Sequence, residues 1–205
     1  MIKHNSIMPD TNLLCSFSAV DREDYPSVGA EGVKLGEMER AGLPLPEGFI
    51  LTSTAYFQYL KDNNLTTKIN HLLQTVNFAD AHSLLQVASH IRKQFMEGTI
   101  SERLTREVIA RYYAISGMQK DIPLVLIASA TTPTHTTLPV AGQEQMFPVT
   151  GETALMLCIK ELWASLFEAK AIFYRHEHHF EHFRIGSAII IKRLVLAELS
   201  GTYYS

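Results

Sequence analysis

VGAEGVKLGEMERAGLPLPEGFIL, from Val28 to Leu51, is the stretch of this sequence that decides the fold. A turn of small residues, Gly29 to Gly32, leads into an amphipathic helix that we predict over Val33–Arg40, and Gly42 ends that helix. Two prolines then precede a short apolar strand, predicted over Phe49–Leu51. A glycine turn before a helix exposes backbone N–H groups at the positive end of the helix dipole, which favours an anion such as phosphate.

The charged residue inside this turn is an acid, Glu31. A phosphate site would be expected to carry Lys or Arg there, so the backbone pattern and the charge point in opposite directions. One interpretation is that Glu31 is only a favourable acid near a helix N-terminus, worth about 0.3–1 kcal/mol. The other is that the turn has lost the cation that a phosphate ligand needs.

Composition sets broad limits on the class of protein. The chain has 205 residues, 46% of them hydrophobic, which allows one sizeable domain or two small ones. A net charge of −3 provides no basic field for nucleic acid, and two cysteines are too few for a disulfide framework. The segment MIKHNSIMPDTNLL has no long apolar run, so we expect no signal peptide, no membrane span and a cytoplasmic location.

The rest of the chain predicts an α+β fold with a mixed sheet and packed helices. Apolar residues recur at helical spacing between about 65 and 116, which indicates a helical insert. The run LVLIASA after Pro123 has the length and composition of a strand buried on both faces. The remaining predicted elements are a first strand over Leu13–Val20, a short strand over Gln145–Val149, a helix from Thr150 to about Arg175, a strand over Ile185–Val195 and a returning strand over Gly201–Ser205.

Three segments of this sequence resemble one known family. Val28 to Leu51 resembles the start of the phosphoenolpyruvate synthase and pyruvate phosphate dikinase family, where VGGKGANLGEL is followed by GLPVPEGF. LIASATTPTHTTLPVAGQ, from Leu126 to Gln143, resembles the family's VRSSATAEDLPDASFAGQ, and LWASLFEAKAIFYR, from Leu162 to Arg175, resembles its CWASLFTDRAIAYR. The resemblance covers about 21–205, with 1–20 as an N-terminal segment. It implies a fold like the N-terminal subdomain of the family's ATP-grasp domain.

The resemblance also implies a nucleotide cleft, with ATP and Mg as cofactors. In the family, a lysine at the position of Glu31 and an arginine at the position of Ile127 contact nucleotide phosphates. The family's acidic pair falls on Pro133 and Thr134. The other residues of this chain that fall on family cleft positions are Thr131, Gly142, Gln143 and Arg175.

Arg175 and the histidines that follow it leave alternatives open. Arg175 is either a ligand contact or a member of a structural ion pair. His178 and His182 would share one face of a helix at i,i+4 spacing, which can bind zinc. The family has a loop at this point, which favours solvated loop histidines and no metal site.

The first hypothesis on function is a partial or degenerate family member, the N-terminal part of a phosphoenolpyruvate synthase-like protein that is not catalytic alone. No residue of the chain is expected to be catalytic by itself. Alternatives are one subunit of a split synthase, whose partner is a missing C-terminal portion, and a non-catalytic interaction domain that reuses the fold. A terminal strand with an unpaired edge would suit self-association in the last case.

Overall fold

The computed structural model describes residues 12–117, 122–132 and 147–195. Gly142, Gln143 and the predicted strand at Gly201–Ser205 lie outside the described residues. No helix in the described part of the chain is both long and apolar enough to cross a bilayer.

The first helix begins earlier than predicted: it runs over Tyr25–Arg40 and not Val33–Arg40, and only Gly29 of the predicted glycine turn departs from helical geometry. The predicted helical insert is confirmed as three helices, each with one apolar stripe buried. The α-helices are α1 (Tyr25–Arg40), α2 (Ser53–Asp62), α3 (Leu65–Leu73), α4 (Ala81–Glu97), α5 (Glu102–Ser116), α6 (Glu152–Ala164) and α7 (Ala169–Glu177).

Five described strands form one sheet in the order β1-β2-β5-β3-β4. Every neighbouring pair is antiparallel, so the prediction of a mixed sheet is wrong for the part of the sheet that the structure describes. β2 and β3 run in the same direction, but β5 lies between them and runs opposite to both. The two strands that could form a parallel pair are therefore not neighbours. The strands are β1 (Leu14–Cys15), β2 (Gly48–Leu51), β3 (Pro123–Thr131), β4 (Phe147–Thr150) and β5 (Gly186–Arg193).

Both faces of the sheet are covered, because successive side chains of its central strands point alternately into two apolar clusters. On one face, Ile50, Ile127 and Ile190 pack with Val28 and Leu35 of α1. The opposite face packs against the helical insert, α6 and α7, through residues that include Phe49, Leu51, Leu124, Leu126, Ile189 and Ile191. Burial on both faces explains why the strand after Pro123 reads as a continuous apolar run, as predicted.

The first predicted strand is much shorter than expected. Only Leu14 and Cys15 pair with β2, and a 3₁₀ turn over Phe17–Ala19 follows. Phe17 and Val20 are both buried in the cluster beneath α1. Two inward residues three positions apart fit the three-residue period of a 3₁₀ turn and not the two-residue period of a strand.

The long helix predicted from Thr150 to Arg175 is interrupted. A 3₁₀ turn over Ser165–Phe167 separates α6 from α7, and Glu168 is extended, with φ −61° and ψ 149°. Side chains satisfy the carbonyl groups that the break leaves free: Ser165 Oγ donates to the carbonyl of Leu162, and Arg175 Nη2 donates to that of Leu166. The apolar periodicity predicted one helix because it contains no information on these side-chain caps.

Candidate functional site

The glycine turn of the sequence lies against the end of strand β3. Gly29 interrupts α1 with φ +70° and ψ −177°, and the helix resumes after it, so Ala30, Glu31 and Gly32 form a new first turn. A Cβ on Gly29 would collide with the Ser129 hydroxyl and would lie 2.7 Å from the Ala130 carbonyl oxygen. Position 29 therefore requires glycine for two reasons: its φ is positive, and the backbones of α1 and β3 approach closely there.

Glu31 sits in this first turn and is paired with a cation. Its Oε2 lies 3.9 Å from Nζ of Lys34, one helical turn further on. The side chains of Glu31 and Lys34 are 36% and 67% exposed, so the pair is at the surface and contributes less than about 1 kcal/mol to stability. An acid in the first turn of a helix also interacts favourably with the helix dipole.

Ile127, where the resemblance places an arginine, is part of the core. Its side chain is 8% exposed and belongs to the apolar cluster beneath α1, together with Val28 and Ile190. Thr131 lies four residues further along the same face of β3 and pairs in register with Gly186 of β5. Thr131 is 2% exposed, and its Oγ1 lies 2.6 Å from the position of a Cβ on Gly186.

Arg175 lies on the opposite face of the sheet, inside the helical layer. It is 1% exposed, its Nε donates to Nδ1 of His182 at 2.8 Å, and its guanidinium carbon lies 5.2 Å from the ring centroid of Phe167. Burial lowers the pKa of Arg175 to about 10, an effect partly offset by Tyr56. Arg175 thus remains charged at neutral pH, with no carboxylate partner among the described residues.

The histidines after α7 do not share a helical face. Helix α7 ends at Glu177, so His178 and His182 are not held at i,i+4 spacing. His178 stacks on Tyr174 with ring centroids 4.0 Å apart. His182 is half-buried, which differs from the expectation of solvated histidines, because the Arg175 guanidinium holds it in place. Burial, the charge of Arg175 and the nearby His176 together lower the pKa of His182 to about 4, and burial has the largest effect.

The structure therefore divides the residues that the sequence singled out. Glu31, Ile127 and Thr131 belong to the α1 side of the sheet, and Arg175 belongs to the other side. Two residues that sequence reasoning did not single out as site residues, Lys34 and Ser129, accompany the glycine turn. The i,i+3 spacing of opposite charges was the available signal for Lys34. No sequence signal identified Ser129 as the contact of Gly29, because that contact joins residues 100 positions apart.

A cavity of about 830 Å³ lies between α4, β4, α6 and the start of α7. It is lined by Leu85, Arg92, Cys158 and Lys170, among others. None of the predicted site residues within the described ranges lines it. Burial and the nearby Glu161 carboxylate raise the pKa of the Cys158 thiol to about 11, so this cysteine is a packed group and not an activated nucleophile.

The part of the chain that matches a known protein family includes the glycine turn and the strand that it contacts. The sequence profile of the family "Pyruvate phosphate dikinase, AMP/ATP-binding domain" matches residues 25–205, which includes α1, the helical insert and all of β2 to β5. This chain belongs to that family. An α+β fold with an antiparallel sheet and helices on both faces is consistent with membership of the pyruvate phosphate dikinase AMP/ATP-binding domain family.

Several curated relatives in this family are phosphoenolpyruvate synthases. The chain is 29% identical to a probable phosphoenolpyruvate synthase of Methanothermobacter thermautotrophicus, over 92% of the chain and 28% of the relative. It is 30% identical to the phosphoenolpyruvate synthase of Aquifex aeolicus, over 88% of the chain and 22% of the relative. It is also 26% identical to a rifampicin phosphotransferase of Bacillus subtilis, over 95% of the chain and 22% of the relative. The chain thus spans between 22% and 28% of the length of these three relatives.

Proposed function

We propose that this chain acts as the N-terminal, AMP/ATP-binding-type part of a phosphoenolpyruvate synthase-like protein and does not transfer phosphate alone. The observation that carries this proposal is the position of Ile127 in the apolar cluster beneath α1. Where the resemblance places a phosphate-binding arginine, the chain has a core residue. With Glu31 in place of a lysine, neither of the described phosphate-contact positions offers a cation.

The fit to a nucleotide is therefore partial. The backbone of the Gly29 turn, where a helical turn begins anew, has the form of a phosphate-binding helix N-terminus. The charges do not suit it, because phosphoryl transfer relies on positioned cations that stabilise the phosphate oxygens. Exchanging lysine for Glu31 changes the local charge by two units, and a unit charge pair at 4 Å and an effective dielectric of 20 has a ceiling of about 4 kcal/mol. ATP and Mg accordingly remain cofactors that the family lineage implies.

Calorimetry of the full chain with Mg-ATP tests the proposal. We expect no binding with sub-millimolar affinity by the natural chain, and a gain in affinity for Glu31→Lys combined with Ile127→Arg. Glu39→Lys combined with Ile127→Arg is the matched control, because it makes the same total charge change but places the lysine at an exposed position near the far end of α1. Sub-millimolar binding by the natural chain would overturn the proposal, and an unchanged double variant would mean that the cleft itself is lost.

The proposed partner is the rest of a synthase-like protein, carried on the same or on a separate chain. Phosphoryl transfer would then require the groups that this partner contributes. Mixing the chain with a separately produced C-terminal portion of a relative, and assaying pyruvate- and ATP-dependent phosphoenolpyruvate formation, distinguishes this case. Activity of the mixture, absent from either part, is the expected result for a split enzyme.

A non-catalytic interaction domain is the second candidate. It is favoured by exposed apolar side chains beside the large cavity: Leu85 is 60% exposed and Phe173 is 41% exposed. Large apolar side chains grouped at a surface are typical of protein contacts. Sedimentation velocity over a range of concentrations should show self-association that Leu85→Glu abolishes. Leu43→Glu, at a 50% exposed position on another surface, should leave it unchanged.

A further inference from the structure

The helical layer contains a buried cation with one donor that the described residues leave unpaired. Arg175 donates from Nε to His182 and from Nη2 to the Leu166 carbonyl. Its other terminal nitrogen, Nη1, is buried and has no hydrogen-bond partner in the described part of the chain. Buried polar groups are normally paired, and a buried charge is destabilising unless something compensates it. The unpaired Nη1 therefore indicates an acceptor that these residues do not supply.

A second unpaired group lies near this guanidinium. Tyr56 of α2 is 0% exposed, and its hydroxyl has no hydrogen-bond partner among the described residues. Burial raises the pKa of Tyr56, and the charge of Arg175 partly offsets this effect. Such an effect falls with distance, so the hydroxyl and the guanidinium are close together. Tyr56 keeps its proton at neutral pH and is therefore a second available donor.

Trp163 contributes a third unpaired donor to the same place. Its indole is 0% exposed, and its Nε1 has no hydrogen-bond partner within the described ranges. The indole meets the Tyr56 ring edge-on, with ring centroids 6.2 Å apart. Indole and guanidinium N–H groups only donate, so neither can accept from the other. The cluster of Tyr56, Trp163 and Arg175 thus has several free donors and lacks acceptors.

The charge of this cluster favours an anion over a water molecule. Water can accept these hydrogen bonds, but it does not neutralise Arg175, and no carboxylate in the described ranges does so. Arg175 stays charged at neutral pH, because burial lowers its pKa only to about 10. At 1% exposure, Arg175 is accessible to a small ion and not to a nucleotide, and it lies on the opposite side of the sheet from the Gly29 turn.

We propose that the helical layer binds one small inorganic anion, of the size and charge of chloride, between Nη1 of Arg175 and the hydroxyl of Tyr56. The Trp163 indole is a further N–H donor beside Tyr56. The ion supplies the missing acceptor to the side chain that caps the break before α7. The inference goes beyond the proposed function, because it involves neither a nucleotide nor the Gly29 turn. It makes the stability of the fold dependent on chloride.

Urea denaturation of the full chain, with chloride exchanged for the much larger gluconate at fixed ionic strength, measures this dependence. A ligand that binds only the folded state stabilises it by mass action, so ten-fold more chloride should raise the folded-to-unfolded ratio by up to about ten-fold. Tyr56→Phe removes one donor and should weaken the dependence, and Arg175→Met should abolish it. Tyr112→Phe is the matched control, because it also removes a buried hydroxyl without a described partner, but from α5.

Bromide soaked into crystals of the natural chain locates the ion by its anomalous scattering. We expect a peak within hydrogen-bond distance of Arg175 Nη1 and the Tyr56 hydroxyl. No peak at these atoms would overturn the proposal, and so would equal stability of the natural chain in chloride and gluconate, which is the result expected for a bound water molecule. Equal chloride dependence in Tyr56→Phe and Tyr112→Phe would also overturn it, and this comparison decides even if Arg175→Met does not fold.

Discussion

Arg175 Nε donates a hydrogen bond to Nδ1 of His182 at 2.8 Å, which joins α7 to the segment before β5 through a buried cation and a neutral imidazole. The bond requires an unprotonated Nδ1 on His182, because a guanidinium has donors only. Nη2 of the same guanidinium caps the carbonyl of Leu166 at the break before α7. One side chain thus fixes both the end of the 3₁₀ turn and the path of the chain into the last described strand.

The first prediction concerns acid stability. The folded-state pKa of His182 is lowered to about 4, so the unfolded chain, with a histidine pKa of about 6.5, binds more protons between these values. Stability from this group is full above pH 6.5 and is lost as the pH falls toward 4. We expect the free energy of unfolding to fall by about 1–3 kcal/mol more in the natural chain than in His182→Asn between pH 7 and pH 4.5.

Urea denaturation at the two pH values measures this difference. Asn retains an oxygen acceptor for Arg175 but does not titrate. His90→Asn, at an exposed position on α4, is the control for the exchange of a histidine for asparagine. Equal pH dependence in the natural chain and in His182→Asn would contradict the assignment.

The second prediction is that the main role of Arg175 is to stabilise the folded state and not to bind a ligand. Arg175→Ala leaves a cavity and removes the donors to Leu166 and His182, so we expect a loss of about 3–5 kcal/mol in the free energy of unfolding. Arg175→Met keeps much of the volume and should lose less. Arg111→Ala, at an exposed position on α5, should change stability by less than about 0.5 kcal/mol. A stable Arg175→Ala variant that has lost only nucleotide affinity would instead make Arg175 a ligand contact.

The third prediction separates two demands on Gly29. Gly29 and Gly42 both have positive φ, +70° and +74°, but only Gly29 has atoms in the path of a Cβ. Gly42→Ala should therefore lower the free energy of unfolding by only about 1 kcal/mol, the cost of holding alanine at a positive φ. Gly29→Ala adds the collision with Ser129 and Ala130, and we expect about 2–4 kcal/mol in total. Thermal or urea unfolding compares the two variants, and equal losses would show that α1 can shift away from β3 at little cost.

The fourth prediction tests whether position 127 can still accept a cation. Ile127→Arg introduces a charge into the apolar cluster beneath α1, and we expect a loss of about 2–4 kcal/mol in the free energy of unfolding. Ile127→Met has similar volume and no charge, and should lose less than about 1.5 kcal/mol. If Ile127→Arg unfolds at the same urea concentration as Ile127→Met, the guanidinium has found a path to solvent or to a ligand.

Much of the fold was predictable because it depends on local patterns. The helical insert followed from apolar residues at helical spacing, and the doubly buried β3 followed from its continuous apolar run. The interruption at Ser165–Phe167 was not predictable, since its carbonyl groups are satisfied in part by Arg175, which lies in the next helix. The sheet order was equally out of reach, because side-chain alternation shows which face a residue occupies and not which strand lies beside it.

For the candidate site, the amino-acid sequence by itself determined the lineage and the charges. The sequence shows glycine at positions 29 and 32, an acid at 31 and an apolar residue at 127. It also shows that the acid and the apolar residue depart from a phosphate-binding pattern. Only the tertiary structure decided which of these residues share a side of the sheet, because strands and helices distant in the chain had to meet. It placed Ser129 against Gly29 and buried Ile127 beneath α1, and it put Arg175 into the opposite layer, where a guanidinium can remain charged only with internal acceptors such as Leu166 and His182.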